Sequence, residues 1–117
     1  MGLDTSHDCW HGPYSSFMEW RERIHRFTAP DHTHTLREAW EHDDYNDPDN
    51  PIHFLMTHSD CEGEIPSEMC APMADALQKI VDIMPERATY DFAKPATLQF
   101  ITGLRKAASL NEPVDFH

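Results

Sequence analysis

Tyr14-Ser15-Ser16-Phe17-Met18-Glu19-Trp20-Arg21-Glu22-Arg23-Ile24-His25-Arg26-Phe27 fixes the fold class. Phe17, Trp20, Ile24 and Phe27 recur at helical spacing, with Tyr14 and Met18 at the flank, and Glu19, Glu22, Arg23 and Arg26 take the other side. This is an amphipathic helix, opened by Gly12-Pro13 and supported by Glu19–Arg23 and Glu22–Arg26 pairs four residues apart. Two further stretches repeat the pattern. Met73, Leu77, Ile80, Val81 and Met84 form one stripe, and Thr97, Phe100, Ile101, Leu104, Ala107 and Ala108 form another. Asn111 suits a left-handed end to the latter helix. The sequence therefore predicts a helix-rich α+β domain. Its helices lie near 13–28, 67–84 and 94–110, with a weaker one near 33–43 that docks Leu36 and Trp40. Pro72 puts an unbroken helix from Ser67 in question, because an interior proline removes a backbone bond.

The remaining segments are short. Thr35 and Glu38 have capping-box spacing. Tyr45 to Pro51 is turn chemistry. Ile52 to Thr57 is brief, apolar and bounded by Pro51, which predicts a strand. The tail Glu112 to His117 supplies an extended partner for it, so one antiparallel pair is expected between 52–57 and 113–116. Residues 1–12 show no periodicity. With 117 residues, residues 1–117 read as a single domain.

Composition excludes several functions. The formal charge is -12, and from Glu38 to Gln78 there are eleven acidic residues and no Lys or Arg. Such a surface repels a phosphate backbone, so direct DNA or RNA binding is not expected. No apolar run is long enough to span a membrane. The three cysteines are an odd number and no signal-peptide pattern is present, which predicts free thiols and a cytoplasmic location.

Chemistry concentrates in His58-Ser59-Asp60-Cys61-Glu62-Gly63-Glu64-Ile65-Pro66 and in His7-Asp8-Cys9-Trp10-His11. Three readings of these patches compete, one of them purely structural, with His58 and Cys61 partly buried and Cys9 and Trp10 packed on the core. Cys9 and His11 with His58 and Cys61 would give two sulfurs and two nitrogens, the tetrahedral set of a structural zinc, with His7 able to replace either histidine. Alternatively the two segments line one polar pocket, with His7, Trp10, Asp60, Glu62, Glu64 and Arg21 as ligand-binding residues. No catalytic residue is assigned. The chain has no phosphate-binding glycine loop and no nucleophile elbow, and carboxylates beside Cys61 suppress its thiolate. The alternating acids Asp60, Glu62 and Glu64 lack the distal glutamate of an EF-hand.

The opening Met1-Gly-Leu-Asp-Thr-Ser-His-Asp-Cys-Trp-His-Gly-Pro-Tyr-Ser-Ser-Phe, the central His-Ser-Asp-Cys-Glu-Gly-Glu-Ile block and the Glu-Pro-Val-Asp-Phe-His tail together resemble a family of small uncharacterised bacterial and bacteriophage proteins. The resemblance covers both ends and the middle of the chain. It implies a cytoplasmic accessory protein and supplies no activity. The expected function is that of a small non-enzymatic binding protein for a metal ion or a small polar ligand. The alternative is a phage-type accessory protein. It would act on a basic host protein through an acidic face, or sequester a nucleotide signal if Arg21, Arg23, Arg105 and Lys106 converge. A metal-dependent hydrolase ranks third.

Overall fold

A computed structural model describes residues 2–28, 36–41, 45–47, 49–59, 62–84 and 93–116. The predicted stripe folds as helix α1, Tyr14–Thr28, and buries Phe17, Trp20 and Ile24. Helices α4, Ser67–Ile83, and α5, Ala93–Ser109, form the most extensive element pair. They bury the two apolar faces read from sequence, including Met73, Leu77, Ile80, Phe100, Ile101 and Leu104. Asn111 ends α5 at φ 54°, and the Glu112 amide donates to the Ala107 carbonyl at 2.9 Å. Helix α2, Leu36–Glu41, is short, and the Leu36 amide donates to Glu22 of α1 at 3.1 Å. Glu22 thus reaches the start of α2. Glu19 does pair with Arg23, at 3.2 Å. Thr35, of the expected capping box, lies outside the described residues.

Four expectations are corrected. First, α4 runs unbroken through Pro72. The proline is at the sixth position and exposed, so the carbonyl it leaves without a helical partner is that of exposed Glu68, where water can bind it. Second, Pro51–Thr57 is a helix, α3, not a strand. The side chain of Asn50 accepts from the amides of Ile52 and His53 at 2.9 and 3.3 Å, and Pro51 supplies a preset first turn. Ile52, Leu55 and Met56 are the buried positions, a helical spacing.

Third, the amino-terminal stretch, expected to form no periodic element, makes a strand pair. Strands β1, Gly2–Asp4, and β2, His11–Pro13, pair antiparallel, with Leu3 opposite Gly12. Buried Leu3 anchors this hairpin in the core. Fourth, the tail strand β4, Val114–Asp115, pairs with β3, Glu64–Ile65, and not with 52–57. The chain therefore has two short strand pairs.

The core centres on aromatic rings. Trp10, Phe17, Trp20, Phe100 and Phe116 pack with neighbouring ring centroids between 4.8 and 6.5 Å apart. Such offset and edge-on contacts add to the burial of large apolar areas. The Trp20 indole donates to Thr97 Oγ1 at 2.8 Å, and that hydroxyl donates to the Ala93 carbonyl at 2.6 Å. The polar handle of the core tryptophan is thereby satisfied inside the first turn of α5. Among the described residues, no helix is long and apolar enough to cross a membrane.

Candidate functional site

The tail joins the two chemistry-rich segments. The Phe116 amide donates to the Gly63 carbonyl and the Asp115 amide to Ser6 Oγ, both at 2.9 Å. Thr5 bridges to Phe116. The 62–65 stretch and the amino-terminal segment thus flank the same strand, and Phe116 lies between them. Among the described residues, they meet through the tail. Asp60 and Cys61 lie outside the described residues.

His58 terminates α3. Its ring packs on Phe116 at 4.2 Å between centroids. Nδ1 lies 2.7 Å from the Ser59 carbonyl and Nε2 3.1 Å from the Glu64 carbonyl. A neutral ring donates to one of these and the imidazolium to both. Gly63, at φ 91°, makes the turn that brings the Glu64 carbonyl back. Glu62 and Glu64 are exposed.

Arg21 has a structural position. It is 3% exposed, and its Nη1 donates to the carbonyls of Leu55, Met56 and His58 at 3.4, 3.3 and 2.8 Å. These carbonyls stand at the end of α3, where a cation also meets the negative end of the helix. Its guanidinium stacks over Phe17 and Trp40, at 4.7 and 5.5 Å. Trp40 adds an indole bond to the Met56 carbonyl at 2.9 Å. Arg21 thereby sets where the His58 loop begins.

The amino-terminal patch divides by side. Cys9 points inward against α5, and an ideal Cβ at Gly103 would stand 2.4 Å from its Sγ. Burial, reinforced by neighbouring Cys70 and Asp8, pushes the Cys9 thiol up to about 12, against a smaller lowering by Thr5. Burial also raises the Cys70 thiol. Both stay protonated and unreactive at neutral pH. His11 points outward with 83% of its side chain exposed and pairs across the hairpin with Asp4 at 3.3 Å. Trp10 belongs to the core, and its buried indole N–H has no acceptor among the described residues. The three described members of the expected zinc set, Cys9, His11 and His58, are directed to separate partners. Among the described residues, no three His, Cys, Asp or Glu side chains gather as a metal site.

His7 lies in a tight turn, residues 6–8. Its φ is 61° and that of Asp8 is 57°, two consecutive left-handed residues that are not glycine. Such strain persists only where the surroundings over-determine it, and it concentrates at functional positions. Here α5 supplies the surroundings. Gly103 receives the His7 carbonyl and Cys9, and the Gln99 amide donates to the Asp8 carbonyl at 2.9 Å. Ser6 Oγ is 2.8 Å from His7 Nδ1, and His7 Nε2 is 2.9 Å from Glu112 Oε1. Serine, histidine and glutamate in sequence have the composition of a nucleophilic triad. The Ser6 hydroxyl, however, also accepts the Asp115 amide and does not line the groove beside the turn. Its contacts fasten the tail.

That groove has a volume of about 310 Å³ and is lined by His7, Asp8, Gln99, Thr102, Gly103 and Lys106. Of the expected site residues that are described, it contains His7. The α5 side was invisible in the sequence reading because Gln99, Thr102 and Lys106 look like an ordinary solvated helix face. Gly103 was the available signal, since a glycine inside a strong helix marks a close backbone approach. The buried pair His25 and Tyr45, with Nδ1 and Oη 2.5 Å apart, was missed as well. His25 and Arg21 stand four residues apart beside the apolar stripe of α1, which is the trace they leave in the sequence.

The cations do not converge. Arg21 serves α3, Arg23 pairs with Glu19, and Arg105 lies 3.7 Å from Asp75. No family model, curated protein or solved structure matches the chain.

Proposed function

We propose that this chain is a small non-enzymatic binding protein whose ligand, a small polar molecule, lies in the groove between the 6–8 turn and α5. The observation that carries this reading is the strained His7–Asp8 pair, which forms one wall of a groove of about 310 Å³ that carries several polar side chains. That volume is at the lower end of small-molecule sites. The non-enzymatic part is supported by the protonated thiols and by the use of Ser6 and Glu112 as tail contacts. The test is a ligand screen by thermal shift, repeated on Thr102→Arg. Thr102 is exposed, so the arginine fills the groove without entering the core. Hits on the native chain that disappear in Thr102→Arg support the reading. Hits that the variant retains refute it.

A second reading has its own observation. Glu64 and Asp115 are direct cross-strand partners, both exposed and of like charge, with Glu62 and Glu112 exposed nearby in sequence. Like charges directly opposite each other destabilise a strand pair. A basic partner would relieve that repulsion, as the phage-type accessory reading requires. Capture of a basic host protein that is lost on Glu64→Gln/Asp115→Asn would favour it.

A further inference from the structure

Two residues of opposite charge, Asp8 and Lys106, line the groove. Gln99, Thr102, Gly103 and Lys106 follow one another at helical spacing and so share one face of α5. From Gln99 to Lys106 the helix rises roughly 10 Å, at about 1.5 Å per residue. The Gln99 bond to the Asp8 carbonyl fixes Asp8 at the amino-terminal end. Lys106 occupies the last turns of the helix. The Glu112 carboxylate, also near this end, is drawn to His7 at 2.9 Å. Among the described residues, neither the Asp8 carboxylate nor the Lys106 ammonium has an ion-pair partner. Between them the Thr102 hydroxyl donates back to the Leu98 carbonyl at 2.9 Å, which leaves its oxygen able to accept.

We propose that the groove recognises a short extended zwitterion, a peptide of about three residues, with its ammonium at Asp8 and its carboxylate at Lys106. The inference rests on the groove reading above and narrows its ligand class. An extended chain covers about 3.3–3.6 Å per residue, so three residues match the roughly 10 Å of α5 that the groove follows from Gln99 to Lys106. A simple anion would satisfy Lys106 and face Asp8 with like charge. A simple cation has the reverse fault. A peptide N–H in mid-chain can donate to Thr102 Oγ1.

The test titrates triglycine, N-acetyl-triglycine and triglycine amide into the full chain by calorimetry or amide chemical shifts. Lys106→Gln and Asp8→Asn are then compared with the native chain. Asparagine tolerates the left-handed backbone, so Asp8→Asn removes charge without adding strain. Triglycine is expected to bind, with either cap weakening it about tenfold, the scale of one charge-assisted contact. Lys106→Gln is expected to erase the difference between triglycine and its amide alone. Asp8→Asn is expected to erase the difference from the acetyl form alone. Equal binding of all three peptides, or crossed effects of the two variants, overturns the proposal. If no peptide binds but other polar ligands are lost in Thr102→Arg, the zwitterion proposal fails and the groove reading stands. Silence from both sets defeats both.

Discussion

Gly103→Ala tests the packing on which the groove depends, because two large effects of opposite sign compete at that position. In an open helix, replacing glycine with alanine stabilises by about 1 kcal/mol. At position 103 the new Cβ would stand 2.4 Å from Cys9 Sγ, 2.8 Å from the His7 carbonyl oxygen and 3.0 Å from Cys9 Cα. Two of those three atoms are backbone and cannot rotate aside. Overpacking of this kind costs about 1–3 kcal/mol. The turn is already strained at His7 and Asp8, so it has little room to yield and the upper part of that range applies. After subtracting the helix gain, the variant should be about 2 kcal/mol less stable. With an unfolding entropy of about 2.1 cal/mol/K per residue, that lowers Tm by roughly 8 °C. Thermal and urea denaturation followed by circular dichroism read the change. Cys9→Ala on the same background should restore only part of it, since the His7 carbonyl contact remains. An alanine variant equal to or more stable than the native chain would mean that the 6–8 turn does not rest on α5, and the groove would lose its wall.

Cys9 makes stability fall with alkalinity: its folded-state pKa is raised from 9.0 to about 12, so the unfolded chain loses its proton first. Stability from this group is intact below about pH 9 and declines by about 1.4 kcal/mol per pH unit until about pH 12, and Cys9→Ala should flatten that slope in urea titrations. Arg21→Met, which keeps apolar bulk but removes the donors to three carbonyls at the end of α3, should cost about 2–4 kcal/mol and raise amide exchange in residues 51–59. Glu64→Gln should stabilise the chain by up to about 0.5 kcal/mol at low salt by relieving its repulsion with Asp115, an increment that added salt should erase. Elemental analysis of untagged protein tests the zinc set, and stoichiometric zinc would require His11 to leave Asp4 and His58 to leave the Ser59 and Glu64 carbonyls.

The helices were legible where apolar residues alone defined the face. The stripes of α1, α4 and α5 needed no knowledge of their partners, because a period near 3.6 survives any tertiary arrangement. Ile52–Thr57 was misread because a short apolar run fits a buried strand as well as a helix. The deciding information sat two residues outside it, in the Asn50 side chain that caps the first turn. The amino-terminal hairpin was illegible for a different reason. Its stability comes from one buried leucine and from Thr5, whose hydroxyl accepts from the Trp10 amide at 2.8 Å, not from alternation along a strand.

The candidate site shows the same division between local and non-local information. His7 and Asp8 could be noticed as chemistry, but their left-handed backbone is imposed by what they rest on. That support comes from Gly103 and Gln99, more than ninety positions away in the sequence. Tail pairing follows the same logic. Val114 finds Ile65 because the Gly63 turn presents an open strand edge there, whereas residues 52–57 spend their amides and carbonyls within a helix. Once α3 is helical, the tail has the 64–65 edge to pair with, and its bonds to Ser6 and Gly63 join the two chemistry-rich segments. The groove then falls to the α5 side of the turn, where a glycine inside a strong helix was the sequence's one trace of it.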